Sequence, residues 1–328
     1  MKIRYAAFTK KGKLLAQRLQ QKFGGEIRQD GVPLGEWAAE GFAGSDALVF
    51  VGAVGIAVRT VVPFVKAKTQ DPAVVVIDEC AHFSVPILSG HLGGANDLAR
   101  QIAAFLDAVP VITTATDANG VFAVDEWARR QGCIVLSPEK IREVSSKVLA
   151  GKTIKICSDW AISGNPPSGV SVETSGRPDV RVTLENRAEN TLLLIPRITV
   201  LGVGCRKNIP EEALEEAFAH FLAQASVWEQ AICMVASIDL KQREPGLLEF
   251  CRRHGWPAKF YPAQFLADVP GEFSGSRFVK SVTGVDNVCE RSAVLASGGT
   301  LYRKKWAENG VTMALAVKPF FPDWRWQL

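Results

Sequence analysis

ALVFVGAVGIAVRTVVPFV at residues 47–65, followed by AVVVID at 73–78 and GGANDLARQIAAFL at 93–106, decides the fold class. A strand-length apolar run, a glycine turn, an amphipathic stretch and a second β-branched run together describe a βαβ unit. In the third segment and the residue before it, Leu92, Ala95, Leu98, Ala99, Ile102 and Phe105 recur at helical spacing on one face. Working outward, KIRYAAF (2–8), KGKLLAQRLQQKF (11–23) and VPVIT (109–113) keep the alternation going. The pattern predicts an α/β fold with a mainly parallel sheet.

Beyond Trp127, CIVLSPEKIREVSSKVLAGKTIKIC (133–157) predicts strand, helix and strand, with Ser137 as an N-cap before Pro138. From Ser158 to Glu189 the chain turns rich in Gly, Pro and Ser, which predicts a loop or weak hairpin. At 191–225 it restarts as a strand, a glycine turn and a helix with Leu214, Ala217, Phe218, Phe221 and Leu222 on one side. Two α/β domains are therefore expected, at 1–132 and 197–328, joined by a smaller middle region and linker at 133–196.

With 328 residues and 47% hydrophobic content, the chain is long enough for two domain cores. A net charge of +4 is too weak to predict nucleic-acid binding, yet it suits a ligand with several carboxylates. Seven scattered cysteines without a CxxC pair fit a reducing compartment. The N-terminal MKIRYAAFTKKGKLL lacks an uninterrupted signal-peptide core, and no apolar run is long enough to span a membrane, so a cytoplasmic location is expected.

In open parallel sheets ligands gather beyond the carboxyl ends of strands. Three groups should share that crevice: Gly52, Gly55 and Arg59; Asp78 and Glu79; and Thr113, Thr114, Thr116 and Asp117. The densest segment is Ser89-Gly90-His91-Leu92-Gly93-Gly94-Ala95-Asn96, where helical N–H groups could hold a carboxylate or an oxyanion. His91 could act as general base, and Ser89 as hydrogen-bond donor or nucleophile. The structural alternative is a sharp strand-to-helix turn whose glycines only permit positive φ. Neither GxGxxG, GxxxxGK[ST] nor GxSxG is present. A metal site from Cys80, His82 and His91 matches no familiar zinc spacing, so none is expected.

Later in the chain, Gly202-Val203-Gly204-Cys205-Arg206-Lys207 puts two cations beside a possible anion site. Asp239 and Lys241 in the turn 237–244, and Ser276 in 274–277, supply further polar groups at the same edge. Cys205 beside cations invites a nucleophile reading, against the plainer one of a small residue at a tight turn. His220 and His254 are read as structural, and Glu290 as a helix-start acid.

LSGHLGGAN (88–96), PVITTATDANGVFAVDEWA (110–128), LGVGCRKN (201–208), SIDLKQREPGL (237–247) and VTGVDNVCERSA (282–293) together resemble the cobalt-precorrin-5A hydrolase family, also called CbiG. The resemblance runs from about Leu48 to Val317 and is weakest from Cys133 to Ile195, the family's variable middle region. One departure is Glu79-Cys80-Ala81-His82-Phe83, where a glycine is expected soon after the acidic residue. The later motifs also resemble a smaller stand-alone protein of the aerobic cobalamin route.

The resemblance implies opening of a δ-lactone on a cobalt corrinoid with loss of acetaldehyde. It implies no cofactor, since the cobalt is carried by the substrate. The partner would be an anionic cobalt-tetrapyrrole, with transient contact to neighbouring pathway enzymes and no nucleic acid or membrane. Arg59, Arg206, Lys207 and Lys241 would bind its carboxylates, and Gly90, Gly93, Gly94, Asn96, Thr114, Gly204 and Cys205 would complete the site in a cleft between domains. His91, assisted by Glu79 or Asp117, would activate water. Two other classes compete: a non-catalytic tetrapyrrole carrier, and a nucleotide- or sugar-phosphate-binding enzyme using the loop at 90–94.

Overall fold

The apolar runs become three separate sheets among the described residues, which in this computed structural model are 1–67, 70–174, 176–187 and 190–326. The first contains β1 (Ile3–Ala7), β2 (Glu26–Ile27), β3 (Ala47–Val51), β4 (Ala73–Ile77), β5 (Phe83–Leu88) and β6 (Val109–Pro110), in the order β2-β1-β3-β4-β5-β6. Its connections carry α1 (Lys10–Phe23), α2 (Leu34–Gly44), α3 (Val54–Val61) and α4 (Ala95–Leu106). Every residue of β3 and β4 is buried because helices cover both faces. Val49, Val51, Val75 and Ile77 pack with Leu15 and Leu19 of α1 and Leu98 and Ile102 of α4. The alternate residues Leu48, Phe50, Val74 and Val76 meet Trp37 of α2 and Ala57 and Val61 of α3. Each such large side chain contributes roughly 1.5–3 kcal/mol on burial, which is why the runs are unbroken by polar residues.

β1, β3 and β4 are parallel, but β5 runs antiparallel to β4 and β6 follows β5. The short link 78–82 can only reverse the chain, because a parallel crossover needs a dozen or more residues. The expected single crevice is thereby corrected. The turns after β3 and β4 open at one edge, whereas the segments after β5 and β6 open at the opposite edge, where β3 and β4 begin.

α5 (Ala115–Ala118) and α6 (Val124–Arg130) lead into a second sheet. It holds β7 (Cys133–Val135), β8 (Ile154–Ser158), β9 (Val170–Val172), β10 (Val180–Val182) and β11 (Leu192–Pro196), in the order β7-β11-β10-β8-β9. A 3-10 turn at Pro138–Lys140 precedes α7 (Ile141–Leu149); Ser137 stands before it but its side chain caps nothing. The loop or hairpin expected at 158–189 is instead two parallel strands flanking β8, with Val170, Val180 and Val182 turned into the core. Gly, Pro and Ser occupy the connections; Ser175, Ala188 and Glu189 lie outside the described residues.

The third sheet holds β12 (Thr199–Cys205), β13 (Ile232–Ile238), β14 (Ala258–Tyr261), β15 (Thr300–Glu308) and β16 (Val311–Val317), in the order β14-β13-β12-β16-β15. Around it lie α8 (Glu211–Ala225), α9 (Pro245–Arg253), α10 (Ala263–Ala267), α11 (Arg277–Thr283) and α12 (Cys289–Ser297). On α8, Leu214, Ala217, Phe218 and Phe221 are buried, as their spacing predicts, and share a core with Leu184, Leu193 and Ile195 of the middle unit. The C-terminal segment returns to that unit: Trp324 stacks on Trp127 with centroids 5.3 Å apart, and Trp127 Nε1 donates to the Asp323 carbonyl at 2.6 Å. Among the described residues, no helix is long and apolar enough to cross a membrane.

Candidate active site

β12 and β13 run parallel and end at Cys205 and Ile238, so the segments 206–210 and 239–244 leave the third sheet at one edge. Gly202 and Gly204, expected in a turn, are interior residues of β12. A Cβ on Gly202 would lie 1.8 Å from the Cys289 carbonyl oxygen, and one on Gly204 would lie 2.6 Å from Thr312 Oγ1. These glycines let the start of α12 sit directly on the strand, and a cavity of about 730 Å³ opens beside it.

Its walls are of two kinds. Ile238, Leu240, Phe278, Val279, Val282 and Val288 are apolar, and Arg206, Lys207, Lys241, Arg243 and Lys305 are cationic. Leu240, Phe278 and Val282 are 63%, 76% and 62% exposed, so the apolar wall is open to a ligand. Among the described residues, only Lys241 of the five cations is ion-paired, through Nζ to Glu244 Oε2 at 2.9 Å. Four uncompensated cations around an apolar hollow suit a large, flat, anionic ligand.

Buried Glu290 holds one wall in place. Its carboxylate accepts from Ser274 N at 2.7 Å, Asn287 Nδ2 at 2.7 Å and Lys305 N at 2.6 Å, tying α12 to β15. Cys205 and Cys289 also line the cavity. Burial pushes the Cys205 thiol up to about 11 and the Cys289 thiol up to about 12. The nucleophile reading of Cys205 is corrected accordingly: it ends a strand, and burial outweighs the neighbouring charge of Lys241.

Of the residues expected in the second half of the site, Gly204, Cys205, Arg206, Lys207 and Lys241 line this cavity. Asp239 only begins the following 3-10 turn, and Ser276 caps α11 by accepting from Val279 N at 3.3 Å. Among the described residues, none before Gly204 lines this cavity, so it is a hollow of the third sheet and its helices and not the expected cleft shared between domains.

The loop 89–94 belongs to a different centre. His91 Nε2 lies 2.7 Å from Asp117 Oδ2 and Nδ1 lies 3.0 Å from Asp125 Oδ1. Asn96 Nδ2 donates to Thr114 Oγ1 and Asp117 Oδ2, each at 3.0 Å, and Arg100 binds the other Asp117 oxygen at 2.5 Å. Burial by itself would lower the His91 pKa, but the hydrogen bonds and charges of Asp117 and Asp125 outweigh it and raise it to about 10. Burial likewise pulls Asp117 upward, and His91 and Arg100 overcome it to hold the carboxyl below its ordinary range. Both ring nitrogens of His91 are engaged by carboxylates, and the raised pKa favours the protonated ring, so in this arrangement His91 acts as an ionic anchor between them.

The rest of that loop is closed on itself. The N–H groups of Gly94, Ala95 and Asn96 donate to the carbonyls of His91, Ser89 and Gly90, so these three are not free for the expected anion nest. Ser89 Oγ donates to the Asp71 carbonyl at 2.9 Å, which occupies the proposed nucleophile. A Cβ on Gly90 or Gly93 would press on Asn96 or Ser89, and Gly94 has φ +80, so these glycines serve the turn. Glu79 stands at the other edge, accepting from Thr9 Oγ1 at 2.7 Å, and cannot assist His91. Gly52 packs on Phe8, and exposed Arg59 donates to the Gly55 carbonyl at 3.3 Å.

Asp78, Cys80 and His82 bring potential ligand atoms within 4.8 Å of one another. Both Asp78 oxygens accept backbone N–H groups, from Cys80 and Phe83, and Lys11 Nζ lies 2.9 Å from Cys80 Sγ. Ala81, where the family resemblance leads one to expect glycine nearby, adopts φ 59. His220 lies within hydrogen-bond distance of Glu308, and His254 of Glu215 and Glu229, and neither lines the cavity.

The reading of the residues took Arg243 and Glu244 only as part of the polar turn 237–244, and gave no site role to Lys305, Phe278 and Asn287 in the cavity or to Asp125 beside His91. Lys241 and Glu244, three apart just before Pro245, were the local signal for a paired carboxylate. Lys305 carries no such signal, since β15 reaches the cavity only through the order of the sheet.

A family model described as Cobalamin synthesis G N-terminal matches residues 36–117, and one described as Cobalamin synthesis G C-terminus matches residues 199–316. The chain is 33% identical over 304 residues to the cobalt-precorrin-5A hydrolase of Salmonella typhimurium, covering 85% of this chain and 84% of that one. It is 31% identical over 295 residues to the protein of that name from Priestia megaterium, covering 83% and 79%. Protein CobE of a Sinorhizobium species is 32% identical over 120 residues, 36% of this chain and 78% of that protein.

Proposed function

This chain belongs to the CbiG family of cobalamin synthesis proteins, and on that premise we propose that it hydrolyses cobalt-precorrin-5A. The observation that carries the reading is the cavity of about 730 Å³ in which exposed apolar side chains are ringed by Arg206, Lys207, Arg243 and Lys305 without ion-pair partners among the described residues. A tetrapyrrole offers the complement: a broad apolar macrocycle with carboxylates at its rim. The cobalt enters and leaves as part of that substrate.

In the proposed reaction, water adds to the lactone carbonyl and the acyl carbon–oxygen bond breaks, leaving a carboxylate and a secondary alcohol. Loss of the alcohol proton then cleaves the carbon–carbon bond to the macrocycle and releases acetaldehyde. The electron pair stays on the conjugated ring, which takes up a proton, so no oxidant or reductant is consumed. The protein's part is to bind the rim carboxylates, orient the lactone and manage two proton transfers.

Purified full-length protein mixed with cobalt-precorrin-5A should release one acetaldehyde for each lactone opened. Binding of the corrinoid without acetaldehyde would make the chain a carrier and sink the hydrolase reading. Tight binding of ATP or a UDP-sugar in the same cavity would redirect it to a phosphate-bearing ligand.

A further inference from the structure

One carboxylate stands in a cavity otherwise lined by cations, apolar groups and neutral polar groups. Among the described residues that form its walls, Glu244 alone has an acidic side chain, and none is a histidine. A site that binds a polyanion loses affinity by placing a negative charge among its cations, so this carboxylate calls for an explanation beyond binding. On the reading of this chain as a lactone hydrolase, we propose that Glu244 is the general base that takes a proton from the attacking water.

The geometry around Glu244 is that of a held base. The residue is 6% exposed, and Oε2 is paired to Lys241 Nζ at 2.9 Å. Oε1 is shielded from solvent in this structure and has no hydrogen-bond partner among the described residues, so it is a buried acceptor left unsatisfied. Glu244 occupies the N-cap position of α9, yet its side chain makes no capping bond, so the carboxylate is not used to start that helix. Its backbone is fixed from both sides: Glu244 N donates to the Lys241 carbonyl, and Leu248 N donates to the Glu244 carbonyl, each at 3.1 Å. Gly246 presses the first turn of α9 onto the Ile209 carbonyl, where a Cβ would come within 2.1 Å. Lys241 is thus a positioning residue that fixes one oxygen and leaves the other unpaired, to be met by the attacking water once the substrate is seated.

The competing bases fail on chemistry or on place. Cys205 and Cys289 are neutral thiols at pH 7, with burial pushing them up to about 11 and about 12. His91 is not among the lining residues, and both its ring nitrogens are engaged by carboxylates. In the step proposed, the water oxygen bonds to the carbonyl carbon as Glu244 Oε1 accepts one water proton. The acyl carbon–oxygen bond then breaks, its electron pair stays on the departing ring oxygen, and Glu244 returns the proton to that oxygen. Water is consumed and the carboxylate is regenerated.

Full-length wild type and variants should be compared for lactone opening in single turnovers, with corrinoid binding followed by its visible absorption. Glu244→Gln should lower the rate about 10²- to 10⁴-fold while the Kd stays within about threefold. Glu244→Ala should fall equally and regain activity with added formate, which Glu244→Gln leaves no room for. A Gln variant within about tenfold of wild type, or one that loses binding in step with rate, overturns the assignment. So does an Ala variant unmoved by formate. If circular dichroism shows both variants unfolded, Glu244→Asp decides: a drop of about 10- to 100-fold at unchanged Kd supports the base, and an unchanged rate rejects it. Failure of wild type to open the lactone removes the hydrolase reading itself, and is told apart from a failure confined to Glu244.

Discussion

His91 Nε2 and Asp117 Oδ2 stand 2.7 Å apart, tying the loop after β5 to the short helix that follows β6. Asp125 closes the other side of the ring at 3.0 Å, so the imidazolium joins three segments of chain at one sheet edge. Arg129 and Arg130 continue the network to Asp97 on α4, which makes the edge an ionic junction between the first sheet and α6. Burying such charges has a desolvation cost, and removing one partner costs more, because it leaves the others uncompensated.

His91→Ala should therefore destabilise the protein by about 3–5 kcal/mol, because Asp117 and Asp125 are left facing an empty site. Turnover per folded molecule should stay near that of wild type. A melting curve paired with an active-site-normalised rate checks both. A collapse of rate in fully folded variant would restore His91 to catalysis.

The same ring makes stability depend on alkaline pH. Its pKa rises from 6.5 to about 10 on folding, so its contribution is complete below 6.5 and is lost as pH climbs towards 10. Wild-type melting temperature should fall across that interval, and His91→Gln should remove most of the slope. Equal slopes in the two proteins would count against the imidazolium.

Gly202→Ala would drive a methyl group to 1.8 Å from the Cys289 carbonyl oxygen, a backbone atom that cannot swing aside. A loss of about 3 kcal/mol or more is expected, with α12 displaced from β12. Corrinoid binding should weaken along with the melting temperature, whereas Ala81→Gly, which relieves a residue at φ 59, should gain up to about 1 kcal/mol.

Lys207→Ala and Arg243→Ala should each raise KM about 3- to 10-fold with kcat unchanged, the effect of losing one charged contact to a rim carboxylate. Added salt should weaken wild-type binding in the same direction. Phe278 is 76% exposed, so Phe278→Ala should alter stability by less than about 0.5 kcal/mol and still weaken binding by about 1 kcal/mol or more. Calorimetric titration with the corrinoid separates these cases.

Much of the fold was open to reading. The fully apolar runs at 47–51 and 73–77 became buried parallel strands, and the apolar face of α8 met the core as its spacing predicted. The glycines at 202 and 204 were read as a turn; they lie inside β12, where a Cβ would meet the Cys289 carbonyl and the Thr312 hydroxyl. Arg206, Lys207 and Lys241 were legible because they sit beside a strand end. Glu244 was legible as a partner for Lys241 three residues away, but nothing local marked it as a cavity carboxylate and not a solvated one.

By itself, the order of residues determined most of the strands and helices, because hydrophobic period acts over a few residues; it failed at 158–189 and at Gly202 and Gly204, where Gly, Pro and Ser stood in or between strands. It also determined the family, through motifs that occur together in order. Only the tertiary structure decided which loops share an edge. The five-residue link at 78–82 reverses the chain, and that one reversal carries His91 and Asp117 away from Glu79 and Arg59. A strand's direction depends on how the chain closes between strands, and charge, burial and proton affinity follow from where each side chain is then delivered.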